Sequence, residues 1–291
     1  MRVFIIVILL LIGLKETYSA DLFTRHAIVE NDDLLKEEPV ELLDGEVQFD
    51  VFGDDPELMD KLRQISGKDL ENAKQVMEEG WDSATVLVLA ALPEEDVYLY
   101  GYHDAAYGFR GVIIKVGENV NCFDWWYITP QLLPPKIGYE DYDDDGQKEL
   151  AVSIYIDIGT GFGFPIGDLY LYVLEPSKDG TLTEYLLSLE DYLGPINERL
   201  TYALDSEAKS ISLYEGNHIL QQADISWADE MNIEGIHYGD IVGFDLEDRL
   251  ILNIEPGIIV DEWATPQYEG LQPLHAVIRY CDGKFELGEI Y

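Results

Sequence analysis

Basic residues are scarce in this 291-residue chain: 18 Lys and Arg stand against 58 Asp and Glu, for a formal charge of −40. A surface so acidic repels nucleic acid and anionic membranes, which argues against either as a direct partner. It attracts cations and basic partners, and it keeps the protein soluble. Cysteine is nearly absent as well. Cys122 and Cys281 are the only two, so no zinc or dithiol spacing exists. Their separation leaves two readings open, a disulfide or two buried thiols.

The familiar catalytic signatures are missing too. His26, His103, His218, His237 and His275 are isolated in sequence, and neither an H-E-x-x-H helix nor a G-x-S-x-G elbow occurs. His103 and Asp104 are adjacent, but neighbours on a strand point to opposite faces. Gly159-Thr160-Gly161-Phe162-Gly163 follows a strand as a dinucleotide loop does. Its glycine spacing is wrong, however, and a second β-like run replaces the helix that would hold a pyrophosphate. It reads as a strand-linking turn. A glycosidase needs two carboxylates across a cleft, and among this many acids no pair stands out.

Arg2 precedes an apolar run, Val3 to Leu14, closed by Lys15 and Glu16. The run is too short to span a bilayer as a helix but suits the core of a signal peptide. Ser19-Ala20 offers small residues before a cut at Asp21, although Tyr18 fits that site poorly. Residues 1–20 are therefore read as a signal peptide and the protein as secreted. Residues 21–45 are acid-rich without a sustained apolar period, and read as a flexible arm.

Residues 46–291 are read as one domain, because no clear linker divides them. Its front is helical over 56–80. Leu58, Met59, Leu62 and Ile65 repeat at helical spacing; Ser66 with Asp69 then opens a second helix with Leu70, Ala73, Val76 and Met77 on one face and Gly80 at its end.

From Ala84 onward short apolar runs alternate with Gly, Pro, Asn and Asp. Strands are predicted at 86–91, 97–102, 111–116, 150–158, 169–174, 182–187, 211–214, 219–225, 240–246 and 250–254, with hairpins at Asp179-Gly180 and Asp282-Gly283. The fold expected is mainly β with short N-terminal helices, as irregular antiparallel sheets or a reduced β-propeller, with a β-sandwich as the alternative. Trp125, Trp126 and Tyr127, with Tyr139, Tyr142, Tyr155 and Tyr170, fit a core better than a sugar-stacking platform.

One segment carries chemistry of its own. In Asp141-Tyr142-Asp143-Asp144-Asp145-Gly146-Gln147-Lys148-Glu149, hard oxygen ligands alternate around a turn glycine, as in a loop that wraps Ca2+. Asp141, Asp143 and Asp145 offer carboxylates, Gln147 a backbone carbonyl, and Glu149 closes the far side. Gly146 permits the sharp turn. The loop is no EF-hand, since Val152 occupies the position of the bidentate acid. The next residues, Leu150 to Ile156, read as a buried strand.

A D-x-D-x-D-G-x-x-E loop feeding an apolar strand resembles the calcium loops of FG-GAP and VCBS-type repeats, found in integrin-like β-propellers and secreted bacterial proteins. The run from Ile137 to Glu175 looks like secreted VCBS-containing proteins of Gram-positive bacteria, a group without an established activity. The pattern from Tyr238 to Ile290 fits it too. Asp144 departs from the family, which carries glycine there; aspartate tolerates the left-handed region better than most residues. Asp245-Leu246-Glu247-Asp248-Arg249 lacks the glycine and the alternating acids, so the loop is not repeated and a complete propeller is disfavoured. The resemblance implies a bound Ca2+, read as structural; with export and the many aromatics, the expectation is a binding or surface-interaction module with a glycan or cell-surface protein as partner. The alternative is an extracellular polysaccharide hydrolase with calcium supporting an active-site loop.

Overall fold

The computed structural model describes residues 55–291 apart from 77, 105–107, 129–130, 132, 157–168, 229–231 and 261–265. The expected signal peptide, the acidic arm and the turn at 159–163 lie outside the described residues. Helix α1 (Pro56–Arg63) starts on Asp55, whose carboxylate accepts from the backbone N–H groups of Glu57 and Leu58. Pro56 sits where its missing N–H costs nothing. Leu58, Met59 and Leu62 are its buried face. Arg110 holds the helix in place, because its guanidinium grips Asp124, and Asp124 in turn accepts from the Asp55 N–H.

Helix α2 (Gly67–Glu71) opens with the Ser66–Asp69 capping box and then stops. The helical period read as far as Gly80 does not continue. Asn72 turns its side chain back to the Lys68 carbonyl, and Lys74–Gln75 instead form strand β1. The Glu78 carboxylate accepts from the Gln75 N–H and from Lys74 Nζ, supporting that extended pair. Once the backbone has partners in a sheet, weak helical propensity no longer decides its conformation.

Strand β1 pairs in parallel with β2 (Val86–Leu92), and β3 (Val97–Asp104), β4 (Gly108–Val116) and β5 (Asn119–Trp126) extend this first sheet as a meander. A second sheet follows, in the order β6 (Lys136–Glu140), β7 (Glu149–Tyr155), β8 (Leu169–Pro176), β9 (Leu182–Leu187). Helix α3 (Leu189–Arg199) leads into a three-stranded sheet of β10 (Leu200–Asp205), β11 (Ser210–Glu215) and β12 (His218–Asp224). The remaining strands are β13 (Ile233–His237), β14 (Val242–Asp245), β15 (Leu250–Ile254), β16 (Gly257–Val260), β17 (Leu274–Cys281) and β18 (Lys284–Ile290). Of these, β13 pairs with β16, and the others form a sheet in the order β14-β15-β17-β18. The protein is mainly β, built of irregular antiparallel sheets with a helical front. Among the described residues no helix is long and apolar enough to cross a membrane.

Both expected hairpins form. Asp282 and Gly283 both take positive φ, 49° and 73°, which suits a two-residue connection matched to strand twist. Helix α3 is an element the periodicity did not reveal. Ser188 and Asp191 make a capping box at its start and Tyr192 and Ile196 bury one face, but Pro195 inside the helix masks the pattern. Strands β5, β6, β10, β13 and β16 also went unread, being short or rich in polar residues.

The second sheet is the middle layer. On β7 and β8, Leu150, Val152, Ile154, Tyr172 and Leu174 join the core shared with the first sheet. Ala151, Leu169, Leu171 and Val173 join the core shared with the later sheets. A strand covered on both faces has no solvent side, which explains why 150–154 is apolar but for the buried Ser153. Each buried Leu, Val or Ile among them contributes roughly 1.5–3 kcal/mol by leaving water. Strand alternation also sorts the aromatic triplet: Trp125 and Tyr127 are buried and Trp126 is exposed. The Arg110 guanidinium lies 4.9 Å from the Trp126 ring centroid. Two of the three rings are thus core, out of reach of a sugar.

Cys122 is half-buried on β5 and Cys281 is exposed on β17, and both are free thiols.

Candidate metal centre

The acidic loop joins β6 to β7, with Glu140 paired to Glu149 at its base. Its carboxylates fold it. Asp141 accepts from the backbone N–H groups of Asp145 at 3.0 Å and Gly146 at 2.9 Å, Asp143 from Asp145 at 3.1 Å, and Asp145 from Gln147 at 2.7 Å. Two residues take the left-handed region, Asp144 at φ 62° and Gly146 at φ 91°. These are the two positions where the turn needs a residue that tolerates it.

Glu149 opens β7 and is only 1% exposed. One of its oxygens accepts from the Tyr142 N–H at 2.8 Å. No Lys, Arg or His among the described residues is ion-paired with it. Asp141, Asp143 and Glu149 each bring a carboxylate oxygen within 4.8 Å of the others. Burial, followed by the charges of Asp143, Asp145 and Asp141, pushes the Glu149 carboxyl up to about 7 from an ordinary 4.5, against the pull of the Tyr142 N–H. The Asp143 carboxyl is raised as well, first by burial and then by its acidic neighbours, Glu175 among them.

Asp145 and Gln147 stand outside this group of three. Asp145 is exposed, with its carboxylate on the Gln147 N–H, and the Gln147 side-chain amide donates to the Pro176 carbonyl at 3.1 Å. Two further residues bear on the site without having been read from the sequence. Glu175, on β8, acts on Asp143 through its charge and accepts from the Tyr280 hydroxyl. The Tyr142 side chain donates to the Leu246 carbonyl at 2.6 Å. Hairpin register could have pointed to Glu175, because Leu150 lies opposite Leu174; nothing local points to Leu246.

Three carboxylates converging from one loop and one strand end are a hard-oxygen donor set that suits a divalent cation such as calcium. The chain matches no protein-family model, no curated protein and no solved structure. The chemistry of this site is therefore argued from its own residues.

Beside the loop runs a cleft of about 740 Å³, walled by the end of β2, by β6 and by the β14–β15 hairpin. Strand β14 is the edge of its sheet. Three carbonyls along it and just beyond it accept from side chains of the second sheet and its β6–β7 loop: Val242 from Tyr155 at 2.6 Å, Phe244 from Lys136 at 3.2 Å, and Leu246 from Tyr142 of the loop. A row of side-chain donors thus supplies the partners that an edge strand otherwise lacks. Glu95 and Glu140 on one side of the cleft share Lys148, at 3.2 and 3.7 Å. Asp245, Glu247 and Asp248 line the other side.

The histidines are less isolated than their spacing suggests. His237 Nε2 lies 2.7 Å from Asp240, which also accepts from the Tyr268 hydroxyl, and His275 bonds Asn253. His103 stacks on Phe109.

Proposed function

We propose that this is a secreted protein whose 141–149 loop holds one structural calcium ion, and that it serves as a binding or surface-interaction module. One observation carries the ion: the Glu149 carboxylate is buried to 1% exposure, has a single hydrogen-bond donor and no ion-pair partner among the described residues, and faces two further carboxylates. A buried charge left so is costly unless a cation joins it. Asp141, Asp143 and Glu149 supply the inner oxygens. Asp145 and the Gln147 backbone carbonyl complete the set once the loop tightens. A bound divalent cation supplies positive charge that offsets the mutual repulsion of these acids. In the millimolar calcium outside cells even a weak site of this kind fills.

The acidic field favours a basic protein surface or a neutral glycan as the partner. The hydrolase reading draws on the cleft, which has acids on opposite walls. Among the described residues no tryptophan lines that cleft, and the interaction module is preferred.

Calorimetric titration of calcium into chelator-stripped protein tests the ion directly, with Asp143→Ala/Asp145→Ala as the comparison. We expect saturable one-site binding, lost in the variant. At a hundredfold excess over Kd, the stabilisation is about 2.7 kcal/mol, seen as a higher Tm. Absence of binding at millimolar calcium overturns the reading.

A further inference from the structure

Tyr142 belongs to the acidic loop and reaches a residue of the cleft wall, Leu246. Its backbone N–H donates to Glu149 at 2.8 Å, and its hydroxyl donates to the Leu246 carbonyl at 2.6 Å, 104 residues away in sequence. Leu246 follows β14 directly and starts the turn that carries Glu247 and Asp248 along the cleft.

The junction leaves no slack. Gly138, on β6, sits where a Cβ would overlap both the Leu246 carbonyl oxygen and the Tyr142 hydroxyl. Close-packed groups of this kind pass a displacement on instead of absorbing it. The other two side-chain bonds to β14 come from Lys136 and Tyr155, which lie on strands and not in the loop. Among the described residues, the Leu246 end of β14 is the one that a side chain ties to the acidic loop.

We propose that Tyr142 couples cation occupancy of the acidic loop to the β14–β15 turn, so that loading the loop sets the position of the cleft wall formed by Leu246, Glu247 and Asp248. The proposal rests on the ion reading of the loop. Filling the site draws Glu149 toward the cation, and Tyr142 follows through its N–H. The phenol then steadies or shifts the Leu246 carbonyl. Coupling of this kind is reciprocal: a ligand that orders the cleft wall also tightens cation binding.

The test is amide hydrogen exchange on the full chain, with and without millimolar calcium, alongside calorimetry. In the native protein calcium should slow exchange in both 141–149 and 246–249, leaving the Val242 end of β14 unchanged. The slowing at 246–249 should be about 2- to 10-fold, the population change carried by one ordinary hydrogen bond. In Tyr142→Phe, calcium should still bind and protect the loop, while 246–249 no longer responds. Lys136→Met removes the neighbouring bond to Phe244 and should leave the response intact. Calcium binding with an unresponsive 246–249 in the native protein overturns the coupling, and so does a response that persists in Tyr142→Phe. Absence of both heat and loop protection overturns the ion reading itself.

Discussion

The Trp125 indole lies flat on the Tyr172 ring, with centroids 3.8 Å apart and planes 14° from parallel, and its Nε1–H donates to Glu184 at 2.7 Å. This contact joins β5 of the first sheet to β8 and β9 of the second. Both rings are buried, so the stack gains from area removed from water as well as from ring geometry. Trp125→Ala should destabilise the protein by about 3–5 kcal/mol, as other large aromatic truncations do. Trp126→Ala, one residue along and exposed, should change stability by less than about 0.5 kcal/mol. Urea unfolding midpoints of the two variants check the contrast.

Glu149 makes the cation-free protein sensitive to pH in a defined direction. Its carboxyl is held at about 7 in the fold against an ordinary 4.5, so the folded state binds the proton more tightly than the unfolded state does. Its contribution is therefore fully present below about pH 4.5 and fades as pH rises through about 7. In chelator, the unfolding midpoint should fall between pH 5 and pH 8, and Glu149→Gln should remove that part of the fall. Adding calcium at pH 8 should raise the native midpoint and leave the Glu149→Gln midpoint unmoved.

Asp144 occupies the left-handed region at φ 62°. Asp144→Gly should relieve about 1 kcal/mol of backbone strain and keep calcium binding, whereas Asp144→Val should cost a similar amount or more. Thermal melts in chelator separate the backbone effect from any effect of the ion.

Gly138 faces the Leu246 carbonyl with no room for a methyl group. Gly138→Ala should destabilise by roughly 1–3 kcal/mol through overpacking. Hydrogen exchange should then show the loss concentrated at β6 and at 244–249. An unchanged midpoint would mean that the two edges part without cost.

The two thiols should differ in reactivity. Cys281 is exposed, while burial pushes the Cys122 thiol up and lowers its thiolate fraction. Under native conditions a maleimide should modify Cys281 first and Cys122 only slowly, with mass spectrometry showing no intramolecular crosslink.

The features legible in the chain were those whose cause is local. Ser66 three residues before Asp69 announces its helix start because a cap is a contact within one turn, whereas the Asp55 cap went unread. Asp282-Gly283 announces its hairpin because two consecutive positive φ values suit few other residues. In the acidic loop, the alternation of Asp141, Asp143 and Asp145 and the turn at Gly146 are again short-range, and the structure brings Asp141, Asp143 and Glu149 together across nine residues. Where local signals conflicted the reading failed. Pro195 hid α3, and the apolar period from Leu70 to Val76 overstated α2, whose successor pairs with a sheet.

By itself the sequence determined the acidic charge, the strand-and-turn rhythm, the capped helix starts and the donor-rich loop, because each depends on residue type and near spacing. Only the tertiary structure decided that the second sheet is covered on both faces, that Trp125 is core and Trp126 surface, that Glu175 stands beside Asp143, and that Tyr142 reaches Leu246. These depend on which strands lie against one another, and partners 59 or 104 residues apart, as in Trp125–Glu184 and Tyr142–Leu246, leave no periodic trace in the chain. Packing selects them by the apolar area and the hydrogen bonds that the whole assembly can satisfy together.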